Sequence, residues 1–156
     1  MAEPEAAAKA AFAAGRYDEA AALFEAELGR DDSATPRHLL LCNLSASLHK
    51  LDRHEAAAKA AREAVALEPR HAKAHYRLAS ALLAGGNTSS AMQVCDAALL
   101  ILPDHKQLLE VREVADLLRK LGELIVARVE HLQVRQLANF VREHRDLCHE
   151  ANMMRL

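Results

Sequence analysis

The sequence predicts an all-α fold of stacked helical hairpins, and two observations carry that prediction. The first is a repeat. Pro69 and Pro103 stand thirty-four residues apart, and Leu44 and Leu78, Leu48 and Leu82, Ala57 and Ala91, Ala64 and Ala98, and Leu67 and Ile101 keep the same separation. A fixed period of this size means that each unit is one supersecondary element, burying its apolar face on its neighbours. The second is composition. Of the 156 residues 51% are hydrophobic but only 3% are aromatic, and alanine supplies much of the apolar content. Small side chains let helices approach closely, whereas a core of large side chains would need more aromatic mass. No stretch shows sustained alternation with β-branched residues, so a sheet has little support.

The elements follow in order. Helices over about Glu5 to Ala14 and Asp18 to Leu28 make the first hairpin, turning at Gly15-Arg16-Tyr17. Thr35-Pro36 marks the next start, with Thr35 as N-cap and Pro36 in the first turn. That helix ends near His49, and its partner runs from about Arg53 to Leu67. The third hairpin takes Arg70 to Ala84 and Ser89 to Ile101, separated by Gly85-Gly86-Asn87-Thr88, and Pro69 and Pro103 stop the second helices. Asp104 stands three residues before Gln107, the spacing of a capping box, and opens a further helix. Within it Leu108, Val111, Ala115 and Leu118 form one apolar face. A stack of hairpins leaves the apolar side of its last member uncovered, so a terminal helix over 104–121 is required to cover it. A first domain therefore spans 4–121 and a helical extension 122–156. In the extension Leu124, Ile125, Val129, Leu132, Leu137, Phe140, Val141 and Leu147 leave an apolar stripe among balanced charges. If Gly122 does not break it, this is one helix roughly 70 Å long at about 1.5 Å per residue. Such a helix cannot bury its whole stripe on three hairpins. It folds back, self-associates or takes a second partner through residues 123–150.

Charge and composition exclude several functions. A formal charge of −2 gives no general attraction for nucleic acid or an anionic membrane. No apolar run approaches the length of a membrane span, and the Met-Ala-Glu-Pro-Glu start lacks a signal core. The expected location is the cytoplasm. The three cysteines, Cys42, Cys95 and Cys148, lie inside helical patterns and read as buried small hydrophobes in a reducing compartment. His71 and His75, and His144 and Cys148, have metal-compatible spacing but lack third and fourth ligands, so they read as incidental. No nucleophile has a paired base and no phosphate loop follows a strand. Neither a cofactor nor an enzyme is implied.

The pattern resembles the tetratricopeptide repeat, in which a large residue, Leu and a small residue on helix A face Ala, an aliphatic or aromatic residue and Ala on helix B. Residues 70–103 carry Leu78-Ala79, Leu82, Ala91, Cys95, Ala98 and Pro103. Residues 36–69 carry Leu44-Ser45, Leu48, Ala57, Ala61, Ala64 and Pro69, with Leu51-Asp52-Arg53 where glycine is usual. Residues 4–30 match through Gly15 to Ala20 and Phe24, but Ala7 and Ala11 replace larger residues and Glu27 replaces a small one. The resemblance implies three hairpins in a right-handed superhelix, with helix A lining the concave surface. Its groove positions hold Ala2, Glu5, Ala6 and Lys9, then Leu39, Cys42, Asn43 and Ala46, then Lys73, Tyr76, Arg77 and Ser80. Phe12, His49 and Lys50 lie one turn further on. Lys9, Lys50, Lys73 and Arg77 against Glu5 alone give a basic groove, which suits an acidic segment.

Within the family the chain resembles the domains of heat-shock chaperone co-chaperones that grip a C-terminal Glu-Glu-Val-Asp. The stretch from Glu68 to Arg77 is similar to their third-repeat signature, and Asn43 matches the second-repeat Asn. Lys73 and Arg77, one helical turn apart, converge on carboxylates while Asn43 donates from the neighbouring hairpin. The resemblance implies an adaptor whose peptide site comprises Lys9, Asn43, Lys50, Lys73, Tyr76 and Arg77, and whose partner is a chaperone tail. Repeat 1 departs from it: Glu5 stands where the family has Lys, and Lys9 where it has Asn. Two like charges at about 6 Å and an effective dielectric near 20 cost roughly 2–3 kcal/mol, so a weakened or altered clamp is expected. The rival expectation is a structural subunit of a larger assembly, with idle clamp residues and binding through the C-terminal helix.

Overall fold

The computed structural model describes residues 4–31 and 33–153, and the surroundings of side chains 5–31, 33–140 and 142. Ala2, at a predicted groove position, lies outside the described residues, as do the side chains of Val141, His144, Leu147 and Cys148. Seven helices follow one another: α1 (Pro4–Ala13), α2 (Tyr17–Leu28), α3 (Arg37–Lys50), α4 (His54–Leu67), α5 (Ala72–Ala84), α6 (Thr88–Ile101) and α7 (Lys106–Met153). Among the described residues there is no strand. Each of α1 to α5 packs on the next, and α3 also touches α5. The first helices of the second and third hairpins are therefore neighbours. The chain divides into two compact units, Met1–Leu117 and Leu118–Leu156.

All three hairpins close through one turn, and its hydrogen bonds repeat with the period of the sequence. Arg16, Arg53 and Asn87 donate their backbone N–H to the carbonyls of Ala11, Leu48 and Leu82 at 2.9, 3.0 and 2.9 Å. Gly15, Asp52 and Gly86 donate to Phe12, His49 and Leu83 at 3.0, 3.2 and 3.0 Å. Paired bonds of this kind form a Schellman motif, whose second-to-last residue must be left-handed. Gly15 and Gly86 adopt that conformation at φ 77° and 79°, and Asp52 is forced into it at φ 56°. The absence of glycine in the second repeat therefore changes the energy of the turn but not its geometry. Aspartate tolerates this region better than a bulky residue because its short polar side chain bonds locally.

Packing between hairpin partners uses side chains that are small at matching places. Ala8, Ser45 and Ala79 on the first helices, and Ala20, Ala57 and Ala91 on the second, have no solvent exposure. With little beyond a Cβ at the contact, helix axes can approach to the shorter end of about 8–10 Å. The first repeat solves the same volume problem differently. Its Ala7 and Ala11 align with Leu44 and Leu48, thirty-seven residues on. Phe24 aligns with the smaller Ala61 and Cys95 and is 1% exposed in the main cluster. Mass has moved from helix A to helix B. Glu27, at the place of Ala64 and Ala98, is buried, with Arg30 at 3.8 Å.

Two helix starts differ from expectation. Pro36, not Thr35, occupies the N-cap of α3 (φ −54°, ψ 131°), and Arg37 is the first helical residue. Thr35 is drawn away because its hydroxyl donates to the Glu5 carboxylate. Helix α7 begins at Lys106, so Asp104 does not form the capping box. Instead His105 Nδ1 accepts from the Leu108 N–H at 3.4 Å, and the His105 carbonyl accepts from Leu108 and Leu109. The repeat register dictates this: His71 stands thirty-four residues earlier, and its carbonyl accepts from Ala74 and His75.

The first turns of α7 cover the last hairpin as expected. Leu108 is fully buried with Ala79, Cys95 and Ala98, Val111 packs beside them, and Arg112 pairs with Asp96 on α6. In the second unit, Gly122 lies within the helix, and Arg119 Nη1 donates to Glu123 at 2.6 Å. Leu118, Leu121, Leu124, Ile125, Val129, Leu132, Leu137 and Phe140 are between 46% and 67% exposed. Among the described residues no helix is long and apolar enough to cross a membrane.

Asp52→Gly relieves the left-handed aspartate at the cost of a more flexible unfolded chain, so urea denaturation is expected to show a gain of about 0.5–1 kcal/mol. A Cβ at Gly86 meets nothing within 4 Å. Gly86→Ala is therefore expected to lose only the backbone term, about 1 kcal/mol.

Candidate peptide-binding groove

Asn43 on α3 and Arg77 on α5 are thirty-four residues apart, so the period puts them at the same place on adjacent first helices. Lys73 lies one turn before Arg77. Lys9 shares its place with Ala46, thirty-seven residues on. The structure brings these residues together: Lys9, Phe12, Phe24, Asn43, Ala46, Lys73 and Arg77 line one concavity of about 260 Å³. Its polar lining residues are Lys9, Asn43, Lys73 and Arg77; its apolar ones are Phe12, Phe24 and Ala46. Another concavity, of about 370 Å³, is lined by His54, Glu55, Arg62 and Asn87 among others and holds none of the predicted site residues.

Lys50 and Tyr76 do not line the groove. Lys50 is the exposed last residue of α3. Tyr76 packs on the second core cluster, which holds Ala79, Cys95 and Leu108, and its ring centroid is 5.7 Å from the Arg77 guanidinium carbon. That distance allows a cation–π attraction, so Tyr76 helps to orient Arg77 from behind. Phe24 escaped the sequence reading because it is on a second helix. Its signal was present, since it is large where Ala61 and Cys95 are small. The predicted groove residue Cys42 is 1% exposed. Burial pushes its thiol pKa up, while Lys73 and then Arg77 oppose the shift from electrostatic range. Burial and Asp96 push Cys95 up to about 11, so both thiols behave as packing groups.

Electrostatics divides the groove. Lys9 pairs with Glu5 one turn away, and Thr35 donates to the same carboxylate. The Lys9 contact, then the Thr35 hydroxyl, holds the Glu5 carboxyl below its ordinary range. Neither Lys73 nor Arg77 has an ion pair or side-chain hydrogen bond among the described residues, and Arg77 Nε is buried without an acceptor. Donors this close together and unpaired favour an incoming anion, because a carboxylate satisfies several of them at once.

His75 Nε2 donates to the Pro69 carbonyl at 2.8 Å, and His71 meets His38 edge-on at 5.1 Å between centroids. Among the described residues no group of three His, Cys, Asp or Glu side chains could hold a metal ion. His49 lies 5.3 Å from His54, and its pKa is lowered by burial first, then by His54, Arg77 and Lys50. That of His71 is lowered by burial, then by His38 and Lys73.

The chain matches the tetratricopeptide repeat family over residues 5–41 and 44–105. It is 35% identical over 106 residues to the Hsp70-Hsp90 organizing protein of Triticum aestivum, covering 68% of this chain and 18% of that protein. It is 35% identical over 104 residues to the STIP1 homolog of Dictyostelium discoideum, covering 67% and 18%. The chain thus spans less than a fifth of the length of these relatives. In structure it is similar to the second such domain of human RPAP3, solved in complex with the HSP70 peptide SGPTIEEVD. The TM-score is 0.66 at 23% identity, over 72% of this chain and 92% of that one. A likeness at that identity speaks to the fold.

Both depressed histidines favour their neutral form in the folded state. Their contribution to stability is therefore complete above the unfolded value near 6.5 and is lost as pH falls through the lower folded values. The urea midpoint is expected to drop between pH 7 and pH 5, and a His49→Gln, His71→Gln double variant to show a flatter profile.

Proposed function

The chain belongs to the tetratricopeptide repeat family, and from that membership we propose that it is a non-enzymatic, co-chaperone-like adaptor whose groove holds the acidic free C-terminal tail of a heat-shock chaperone. One observation carries the reading: Asn43, Lys73 and Arg77 line one concavity together with Phe12, and neither Lys73 nor Arg77 has an ion pair or side-chain hydrogen bond among the described residues. The relatives named for Hsp70 and Hsp90, and the neighbour solved with an HSP70 tail peptide, support the same partner class.

The geometry suggests how the tail is held. The Arg77 guanidinium offers parallel donors that match the two oxygens of a carboxylate. Lys73 supplies a second charge from one turn away, and the Asn43 amide fixes the plane of the group. The half-buried Phe12 receives an aliphatic side chain from the residue before the terminus, which anchors direction as well as charge. The exposed Lys50 contributes long-range attraction. Tyr76 steadies Arg77 through its ring.

A second docking surface follows from the exposed stripe of the C-terminal helix. Large apolar side chains at nearly half exposure or more favour association with another apolar helix face. Self-association through residues 123–150 is the simplest form of that surface, and it is the route by which the chain would serve as a scaffold subunit.

Lys73→Ala and Arg77→Ala are each expected to weaken a Glu-Glu-Val-Asp peptide by about 1.5–3 kcal/mol in calorimetry, the cost of removing a hydrogen bond to a charged group. Equal affinity for the free-acid and C-terminally amidated peptides would contradict the clamp. Light scattering on the full chain is expected to give the mass of a dimer, and Leu132→Lys with Leu137→Lys the mass of a monomer. A monomeric unmodified chain would reserve the helix for another partner.

A further inference from the structure

Resting on the groove reading above, we infer that this groove grips one carboxylate where a two-carboxylate clamp would grip a pair, and that Glu5 sets the difference. Three cations line the concavity, but they are not equivalent. Lys9 carries its own counterion in Glu5, whereas Lys73 and Arg77 carry none among the described residues. The Glu5 carboxylate is held from two sides, by Lys9 in its own helix and by Thr35 thirty residues later in the chain. Glutamate four residues before lysine is the favoured order for a helical pair, and the Thr35 bond keeps the carboxylate from swinging away. Its side chain is 19% exposed against 59% for Lys9, so it is the better shielded of the two.

The consequence for a tail is asymmetric. At the α3–α5 end an entering carboxylate meets two unpaired cations and an amide, with no acidic side chain among the lining residues. At the α1 end a second carboxylate meets Lys9, the one lining cation whose charge a neighbouring acid, Glu5, already offsets, so attraction and repulsion largely cancel. Phe12, half-buried on α1 and part of the same lining, accepts a neutral side chain there without desolvating a charge. The ligand class is thus a peptide with a free α-carboxylate whose last side chain need not be ionised. An asparagine serves there as well as an aspartate.

The test is calorimetry on the full chain with three peptides ending in Glu-Glu-Val-Asp, Glu-Glu-Val-Asn and amidated Glu-Glu-Val-Asp. The unmodified protein is expected to bind the first two within about twofold of each other and the amide far more weakly. Glu5→Gln keeps an acceptor for Thr35 while freeing Lys9. It is expected to favour the Asp-ended peptide by about tenfold, the scale of one charge-assisted contact. Glu5→Lys is expected to extend that preference, and circular dichroism reports whether each variant is folded. A tenfold preference for Asp over Asn in the unmodified protein, or no gain in Glu5→Gln, overturns the inference while the discrimination against the amide leaves the groove standing. Equal binding of acid and amide removes both.

Discussion

Everything in the first unit depends on how closely the first and second helices of each hairpin can touch. Ala8, Ser45 and Ala79 on the first helices and Ala20, Ala57 and Ala91 on the second are fully buried at matching places in the three repeats, and a single Schellman geometry sets the reversal between them three times. Because both constraints recur with the period of the sequence, residues one period apart end at the same place on neighbouring helices. Asn43 and Arg77 face the same hollow for this reason and no other. A groove built this way needs no special loop, since its chemistry is displayed by the faces of rigid helices.

The hollow is charged unevenly, and the unevenness follows from where acids were placed. Glu5 is tied to Lys9 and Thr35, while the third hairpin sends Lys73 and Arg77 inward with no described acid opposite them. Burial behind that surface is equally uneven. Cys42 and His49 sit within electrostatic range of Arg77, and both are held in their neutral forms chiefly by loss of water. Neutral neighbours do not screen a guanidinium, so its charge remains available to a ligand. The same arrangement makes the site sensitive to acid, because protonating His49 would place like charge beside Arg77.

Much of this was legible in the sequence because it is a consequence of periodicity. The helix order, the hairpin turns, the covering role of Leu108 and Val111, and the meeting of Lys9, Asn43, Lys73 and Arg77 follow from counting in steps of thirty-four and thirty-seven. What was not legible depends on contacts between residues far apart in the chain. Thr35 had the local credentials of an N-cap, but Glu5 competes for its hydroxyl from another helix. Asp104 had the spacing of a capping box, but the repeat register starts the helix at Lys106 and gives the cap to His105. Tyr76 was read as a groove residue because its place faces inward in the pattern. It turns instead to the core beneath the last hairpin, where an aromatic ring buries more area. Phe24 entered the groove because the first repeat moved its bulk between helices, a change that leaves the period untouched.

The covering helix ends one structural problem and opens another. Its early turns shield the last hairpin, while the exposed stripe that follows resembles an interface more than a solvated face. The groove and this stripe are thus rival seats for a partner. Nitrogen-15 NMR on the full chain with a free-acid Glu-Glu-Val-Asp peptide separates them most directly. The account predicts shift changes centred on the amides around Asn43, Lys73 and Arg77, extending to Phe12 and Phe24. Changes confined to residues 118–140, with those amides unmoved, would contradict it.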